Sequence, residues 1–340
     1  WQPRDPAIPG AFGLRSIDGT VVGIAGDDGD LVLAGRDAND AGWLAIQRGT
    51  TWTRIAGPYA GFVGLLDGGH GDRWAYGGGP VIAHRESDGW RRLVPSGVDL
   101  TIARFASVAV TSTDAWIAGE LLGGGVLRYR ETQPVADRWE RQLPGATIQR
   151  VLARTPTDVW ALSFDRQAWR WDGTTWTGTT LPFDGASISA SVLIGASLYV
   201  ADSASQTVWR SSGGPWVAHA TWPPSTYAEA LAGTGPDDLW VAGTDIYHYT
   251  GGAAFDPAFV PSQVSRVTAM WAVSPDDVWI AGEQDGAFVI GHRSIPGPFG
   301  PPAFTEVDDG PHLGGALRAM WGAGPTDIWA VGDGGGLYHY

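Results

Sequence analysis

The sequence predicts an all-β protein built from a repeated unit of about 40 residues, and three observations support this prediction. A turn containing Asp is followed two positions later by Trp along most of the chain, as in SPDDVWIAG at 274–282. Gly, Pro and Trp number 50, 23 and 19 among 340 residues, a composition typical of short strands joined by tight turns. The segments between these turns are short and apolar or alternating, which also favours strands.

The Asp position of the repeat recurs at a nearly constant interval. Six copies keep both Asp and Trp, whereas two are altered: Val32 and Tyr199 replace the Trp, and Ser197 also replaces the Asp. The Asp positions are 30, 72, 114, 158, 197, 238, 277 and 327. Such regular spacing indicates a repeat architecture, in which one repeat forms one supersecondary unit.

Each repeat contains the segments expected of four strands. An apolar strand precedes the Asp turn, the Trp lies in a second strand, and an alternating third strand follows, such as IYHY at 246–249. An aromatic residue then marks the fourth strand, and these residues are Trp1, Trp52, Trp90, Trp139, Trp176, Trp216, Phe255 and Phe304. Four short strands per repeat are the composition of one β-propeller blade.

The aromatic positions predict eight four-stranded blades in a single domain, 1–340. Seven blades are the alternative, if the altered repeat around Ser197 does not form a blade. The last repeat ends at LYHY (337–340), after its third strand, so the N-terminal strand near Trp1 is expected to close the last blade. Closure of this kind removes free sheet edges.

The Asp-x-Trp motif itself has a structural interpretation. Pro presets the backbone of the turn, Asp accepts hydrogen bonds from nearby amides, and Trp packs against the neighbouring blade. Four histidines share one position of the third strand and are expected to be packing or surface residues: His84, His248, His292 and His339. The acidic turn Asp27, Asp28 and Asp30 is a weak candidate for a metal site, since it lacks the ligand spacing of a calcium loop.

Composition excludes several functions. Cysteine is absent and the net charge is −14, which argues against disulfides, thiolate metal sites and nonspecific binding to nucleic acids or anionic membranes. No apolar run is long enough to insert into a membrane. Motifs of serine hydrolases, P-loops and zinc proteases are missing, and no cofactor is expected.

The runs SPDDVWIAGEQDG (274–286) and GPTDIWAVGDGGGLYHY (324–340) resemble the Asp-x-Trp repeats of secreted bacterial β-propeller proteins. They are distantly similar to Asp-box and photosystem-assembly propellers, and DGTTW at 172–176 keeps part of the Asp-box pattern. The resemblance covers nearly the whole chain. It implies a propeller fold and a secreted, periplasmic or cell-surface protein of a bacterium, but no single activity.

Arginines gather where the first strands of several repeats begin. These candidate ligand-binding residues are Arg104, Arg150, Arg266 and Arg318. On a ring they would lie near the mouth of the channel and could bind a carboxylate or sulfate. The alternative is that each arginine pairs with a turn Asp of an adjacent blade.

Two functions are compatible with the sequence. The first is a non-catalytic, lectin-like recognition or scaffold module whose partner is a glycan, an anionic polymer or a protein. We expect it to be a monomer. The second is a hydrolase or lyase acting on an anionic polysaccharide, with Glu229, Tyr227 and His312 as candidate catalytic residues. His312 is included because the repeat does not explain its position.

Overall fold

The structure is a computed structural model, and its regular elements in the described part of the chain are strands, apart from one 3-10 turn at Val135–Asp137. Among these residues no helix is long and apolar enough to cross a bilayer. The described residues are 2–3, 19–27, 30–37, 39–48, 51–54, 59–67, 73–77, 81–86, 89–95, 104–163, 165–183, 188–224, 226–258, 264–285, 287–294, 303–306, 317–324, 327–332 and 337–339.

The chain divides into two compact units. Unit 1 contains Pro182–Tyr340 together with the N-terminal strand β1 (Gln2–Pro3), and unit 2 contains Ile17–Leu181. Within the described residues each unit holds four antiparallel sheets. The sequence-based prediction of a single domain stays a prediction.

Unit 2 contains strands β2 to β18, and within each sheet the strands pair in chain order. The first sheet has β2 (Gly19–Asp27), β3 (Asp30–Asp37), β4 (Ala41–Arg48) and β5 (Thr51–Arg54), with β6 (Tyr59–Ala60) also paired to β4. The second has β7 (Phe62–Asp67), β8 (Arg73–Gly77), β9 (Val81–Glu86) and β10 (Gly89–Leu93). The third has β11 (Arg104–Val110), β12 (Ala115–Glu120), β13 (Val126–Tyr129) and β14 (Trp139–Gln142). The fourth has β15 (Ile148–Thr155), β16 (Asp158–Ser163), β17 (Gln167–Trp171) and β18 (Trp176–Thr180).

Unit 1 has the same organisation. Its first sheet has β19 (Ala190–Ile194), β20 (Ser197–Asp202), β21 (Thr207–Ser211) and β22 (Val217–Thr221). The next has β23 (Ala230–Gly235), β24 (Asp238–Ala242), β25 (Ile246–Tyr249) and β26 (Asp256–Ala258), and the third has β27 (Arg266–Ser274), β28 (Asp277–Gln284), β29 (Ala287–Ser294) and β30 (Ala303–Glu306). The last has β31 (Leu317–Gly324), β32 (Asp327–Gly332) and β33 (Leu337–His339).

The N-terminal strand completes this last sheet. β1 pairs antiparallel with β33, so that Gln2 lies opposite His339 and Pro3 opposite Tyr338. The prediction that the N-terminal strand supplies the missing fourth strand is therefore confirmed, although Trp1 itself lies outside the described residues.

The repeat positions read from the sequence coincide with the strands. The Asp or Ser of the repeat starts the second strand of its sheet in six sheets, at Asp30, Asp158, Ser197, Asp238, Asp277 and Asp327. Even the altered repeat forms a complete sheet, β19 to β22. The described strands thus form eight sheets, seven of four strands and one of five.

The motif tryptophans fill the space between consecutive sheets of one unit. Trp116 is fully buried, and its ring centroid lies 5.8 Å from that of Trp171 and 5.5 Å from that of Trp176, both in the following sheet. Trp279 is fully buried in a cluster with Leu317 and Ile328 of the next sheet. Because an aromatic side chain buries about 150–250 Å², these contacts are a main source of stability between sheets.

Candidate functional site

The Asp of the repeat is bonded to the third strand of its own sheet. In unit 1, His248 Nε2 lies 2.7 Å from Asp238 Oδ1, and His292 Nε2 lies 2.9 Å from Asp277 Oδ1. Each imidazole also stacks on the motif Trp, with ring centroids 3.6 Å apart for Trp240 and His248. The structural interpretation of the motif is therefore supported, because the Asp, the His and the Trp form one packed group.

Arginine replaces histidine at the same position in the third and fourth sheets of unit 2, whereas the second sheet keeps His84 there. Arg128 donates to Asp114 at 3.0 Å and Arg170 donates to Asp158 at 2.7 Å. The guanidinium of Arg128 lies 4.9 Å above the ring of Trp116, a cation–π arrangement. The histidine position is visible in the sequence, but its pairing with the Asp was not predicted. The signal was the recurrence of His or Arg directly opposite the Trp in the hairpin.

The partial Asp-box sequence DGTTW forms the hairpin between β17 and β18. Asp172 Oδ1 accepts hydrogen bonds from the backbone amides of Thr175 and Thr174, each at 2.8 Å. These amides and the Thr174 hydroxyl hold the pKa of Asp172 well below its usual range. This carboxylate is therefore engaged in the turn.

The four candidate arginines lie where the sequence predicts, at the starts of first strands. Arg104 and Arg266 are the first residues of β11 and β27, whereas Arg150 and Arg318 lie one or two residues inside β15 and β31. The side chains of Arg104 and Arg318 are outside the described part of the structure. Their role as ligand-binding residues stays a prediction.

Of the candidate ligand-binding arginines, Arg266 has hydrogen-bond and ion-pair partners that the structure identifies. Its Nε donates to Glu229 Oε1 at 2.6 Å, and its Nη1 lies 3.6 Å from Glu283 Oε1. The hydrogen bond that Arg266 donates to Glu229 and the two nearby negative charges raise the pKa of Arg266. The Arg266 side chain remains 46% exposed, and those of Glu229 and Glu283 are 23% and 30% exposed. Arg266 therefore pairs with acidic residues, but these are glutamates of its own and the adjacent sheet and not the turn Asp that the alternative expected.

Arg150 has a different environment, inside unit 2. Burial lowers its pKa, and the opposing electrostatic effect comes from Tyr76 of another sheet. Burial also raises the pKa of the Tyr76 phenol. The phenol lies over Gly64, where a Cβ atom would be 2.4 Å from Tyr76 Oη. Arg150 and Tyr76 thus bring a guanidinium and a phenolic hydroxyl from two sheets into one half-buried region.

The candidate catalytic residues are only partly brought together. Tyr227 and Glu229 lie on the connection between β22 and β23, where the Tyr227 side chain is 56% exposed and Glu229 is bonded to Arg266. His312 lies outside the described residues, so the structure does not relate it to the other two.

The acidic turn of the first repeat is described only by its backbone. Asp27 and Asp30 face each other at the end of the β2–β3 hairpin, and Asp28 lies outside the described residues. Elsewhere in the described chain, no three His, Cys, Asp or Glu side chains lie close enough together to bind one metal ion.

Comparison with known proteins places the fold. No family model matches the chain, and no curated protein matches it. Solved structures do: the C-terminal WD40 domain of Sif2 matches with a TM-score of 0.65 and 12% identity over 93% of both chains. The chain has a β-propeller-like fold. This assignment rests on the four-stranded antiparallel sheets together with these neighbours.

Two other structural neighbours are proteins of different kinds. YCF48 bound to a D1 peptide has a TM-score of 0.57 and 17% identity, covering 81% of this chain and 91% of that chain. Virginiamycin B lyase from Staphylococcus aureus has a TM-score of 0.59 and 15% identity, covering 95% and 94%. Propeller neighbours therefore include a peptide-binding protein and a lyase, and at this identity the likeness concerns the fold alone.

Proposed function

We propose that the chain is a non-catalytic recognition or scaffold module, a closed ring of eight blades that acts as a monomer. It is secreted, periplasmic or on the surface of a bacterium, and it binds a glycan, an anionic polymer or a protein. Binding uses the end of the sheets at which the first strands begin. The observation that carries the proposal is the engagement of Glu229 by Arg266.

A general acid or base must reach the proton it transfers. Glu229 Oε1 instead accepts a charge-assisted hydrogen bond of 2.6 Å, and Arg266 is also close to Glu283. Glu229 would have to leave this pair before its carboxyl group could reach a substrate. Tyr227 is largely exposed, so no water-excluding environment surrounds it. This arrangement supports recognition over hydrolysis.

Neighbours of the same fold support a binding role, because YCF48 has been captured with a D1 peptide. An anionic ligand remains part of the proposal, and Arg150 is the arginine to test first. Its guanidinium is half-buried, and Tyr76 contributes to its electrostatic environment. A half-buried guanidinium binds a carboxylate or sulfate more strongly than an exposed one, since screening by solvent is weaker.

The ligand test compares Arg150→Gln with Arg266→Gln on an array of anionic and neutral glycans. We expect the wild type to bind an anionic glycan with an affinity that falls as salt rises. Arg150→Gln should weaken binding about tenfold or more, while Arg266→Gln should have a smaller effect. Equal binding by wild type and Arg150→Gln would contradict the anionic-ligand proposal.

The catalytic alternative is tested on the same polysaccharides. Wild type and Glu229→Gln are incubated with alginate, pectate and hyaluronate, and new reducing ends and unsaturated products are measured. We expect no turnover above that of the buffer. Turnover by the wild type that is lost in Glu229→Gln would establish the hydrolase or lyase function instead.

A further inference from the structure

An exposed tyrosine is held in a fixed position at one end of the unit 1 sheets. Tyr227 lies between β22 and β23, and the residues on both sides of it are anchored to neighbouring turns. The Thr226 hydroxyl donates to Asp245 Oδ2 at 2.9 Å, and the Ala228 amide donates to Ser203 Oγ at 2.8 Å. The backbone carrying Tyr227 is therefore fixed by the turns of two adjacent sheets.

Close packing beneath Tyr227 limits its backbone further. A Cβ atom on Gly243 would lie 1.9 Å from the Tyr227 carbonyl oxygen, so the turn after β24 fits only with glycine there. The side chain is nevertheless 56% exposed. An aromatic side chain on a backbone that is already ordered loses little entropy when a partner binds, and tyrosine is common among residues that dominate binding energy.

The charge around Tyr227 is negative. Among the described residues, four carboxylates besides that of the buried Asp202 lie at this end of unit 1, on turns and strand ends: Glu229, Asp245, Glu283 and Asp285. Among the described side chains at this end, the guanidinium is that of Arg266, which is bonded to Glu229 and lies near Glu283. At Arg266 an anion would therefore compete with two carboxylates for one arginine, whereas a cation would meet more negative than positive charge among the described side chains.

We propose that the Tyr227 surface, formed by Tyr227, Glu229, Asp245, Glu283 and Arg266, is a docking site for a cationic segment of a partner protein. A guanidinium or ammonium group of the partner lies against the exposed ring and pairs with the adjacent carboxylates. The aromatic face attracts the cation and the carboxylates supply the counter-charge. This inference rests on the proposed recognition function and deepens it, because it gives the chemistry of a partner.

The probe is a fluorescein-labelled peptide of alternating arginine and glycine, added to the full chain at low and at physiological ionic strength. Fluorescence anisotropy measures its dissociation constant. Tyr227→Ala removes the ring and Tyr227→Phe keeps it, whereas Glu283→Gln removes one carboxylate. The matched control is Glu131→Gln, because Glu131 is an exposed acid of unit 2 and is not one of the residues that form this surface. Melting curves verify that each variant is folded.

We expect saturable binding by the wild type, about tenfold weaker binding by Tyr227→Ala, and nearly unchanged binding by Tyr227→Phe. Glu283→Gln should weaken binding about threefold, and Glu131→Gln should leave it unchanged. Added salt should weaken the binding that depends on the carboxylates.

Any one of four results would overturn the inference. The wild type fails to bind the arginine peptide, Tyr227→Ala binds like the wild type, or Glu131→Gln weakens binding as much as Glu283→Gln. A glutamate version of the peptide that binds more tightly would also overturn it and would favour an anion site. None of these results would contradict the general recognition role. That role is contradicted by a different result, namely catalytic turnover of a polysaccharide by the wild type.

Discussion

The packing of Trp279 gives the most direct test of how consecutive sheets are held together. Trp279 is fully buried, its ring stacks on His292 with centroids 3.7 Å apart, and it belongs to a cluster with Leu317 and Ile328. Removing about 150–250 Å² of buried surface at ~25 cal/mol per Å² costs roughly 4–6 kcal/mol. Measured substitutions of large aromatic residues by Ala cost about 3–5 kcal/mol. We expect Trp279→Ala to lower the free energy of unfolding by about 4 kcal/mol.

Asp277→Ala is the comparison for that experiment. It removes the hydrogen bond of 2.9 Å to His292, in a half-buried position, and should cost about 1 kcal/mol. Both variants are unfolded with urea and followed by far-ultraviolet circular dichroism, since 19 tryptophans make fluorescence hard to assign to one site. The inter-sheet role of the Trp is refuted by either of two results. The free energy of unfolding of Trp279→Ala could lie within about 1 kcal/mol of the wild-type value, or Asp277→Ala could lower it more than Trp279→Ala does.

Two further predictions concern single contacts. Burial would raise the pKa of Asp238, but hydrogen bonds, including that from His248, outweigh burial and lower it. The stabilisation from this depressed pKa is therefore complete above the unfolded value of about 3.9 and is lost as pH falls through the folded pKa. Urea unfolding at several pH values gives the difference in free energy of unfolding between wild type and Asp238→Asn. This difference should shrink below about pH 4, and a constant difference would contradict the prediction. Gly64→Ala should lower the melting temperature because a Cβ would clash with the Tyr76 ring, and an unchanged value would show that the phenol does not lie there.

The sequence predicted the repeat and the strands well, because these depend on local pattern. Asp158 and Asp238 start their second strands, and the altered repeat at Ser197 still forms a sheet. A turn Asp followed two residues later by a buried Trp specifies a hairpin within one repeat, whatever the other repeats contain. The local sequence pattern of each repeat is therefore enough to predict most of the strands and sheets.

The candidate site was less accessible to sequence reasoning, because it depends on contacts between repeats. Arg266 is bonded to Glu229, which lies 37 positions earlier, and no local pattern connects the two. The effect of Tyr76 on Arg150 likewise joins two different sheets. Positions at strand starts could be predicted, whereas the charge that each arginine meets required the packed structure.

The stacking of histidine on tryptophan gives the protein its own spectroscopic probes. The imidazoles of His248 and His292 lie nearly parallel to indole rings, at interplanar angles of 11° and 10°. Ring currents of those indoles should move the carbon-bound imidazole protons to unusually high field, away from the signals of unstacked histidines. Nuclear magnetic resonance could then follow two individual sheets of unit 1 during unfolding or ligand binding, without any label attached to the chain.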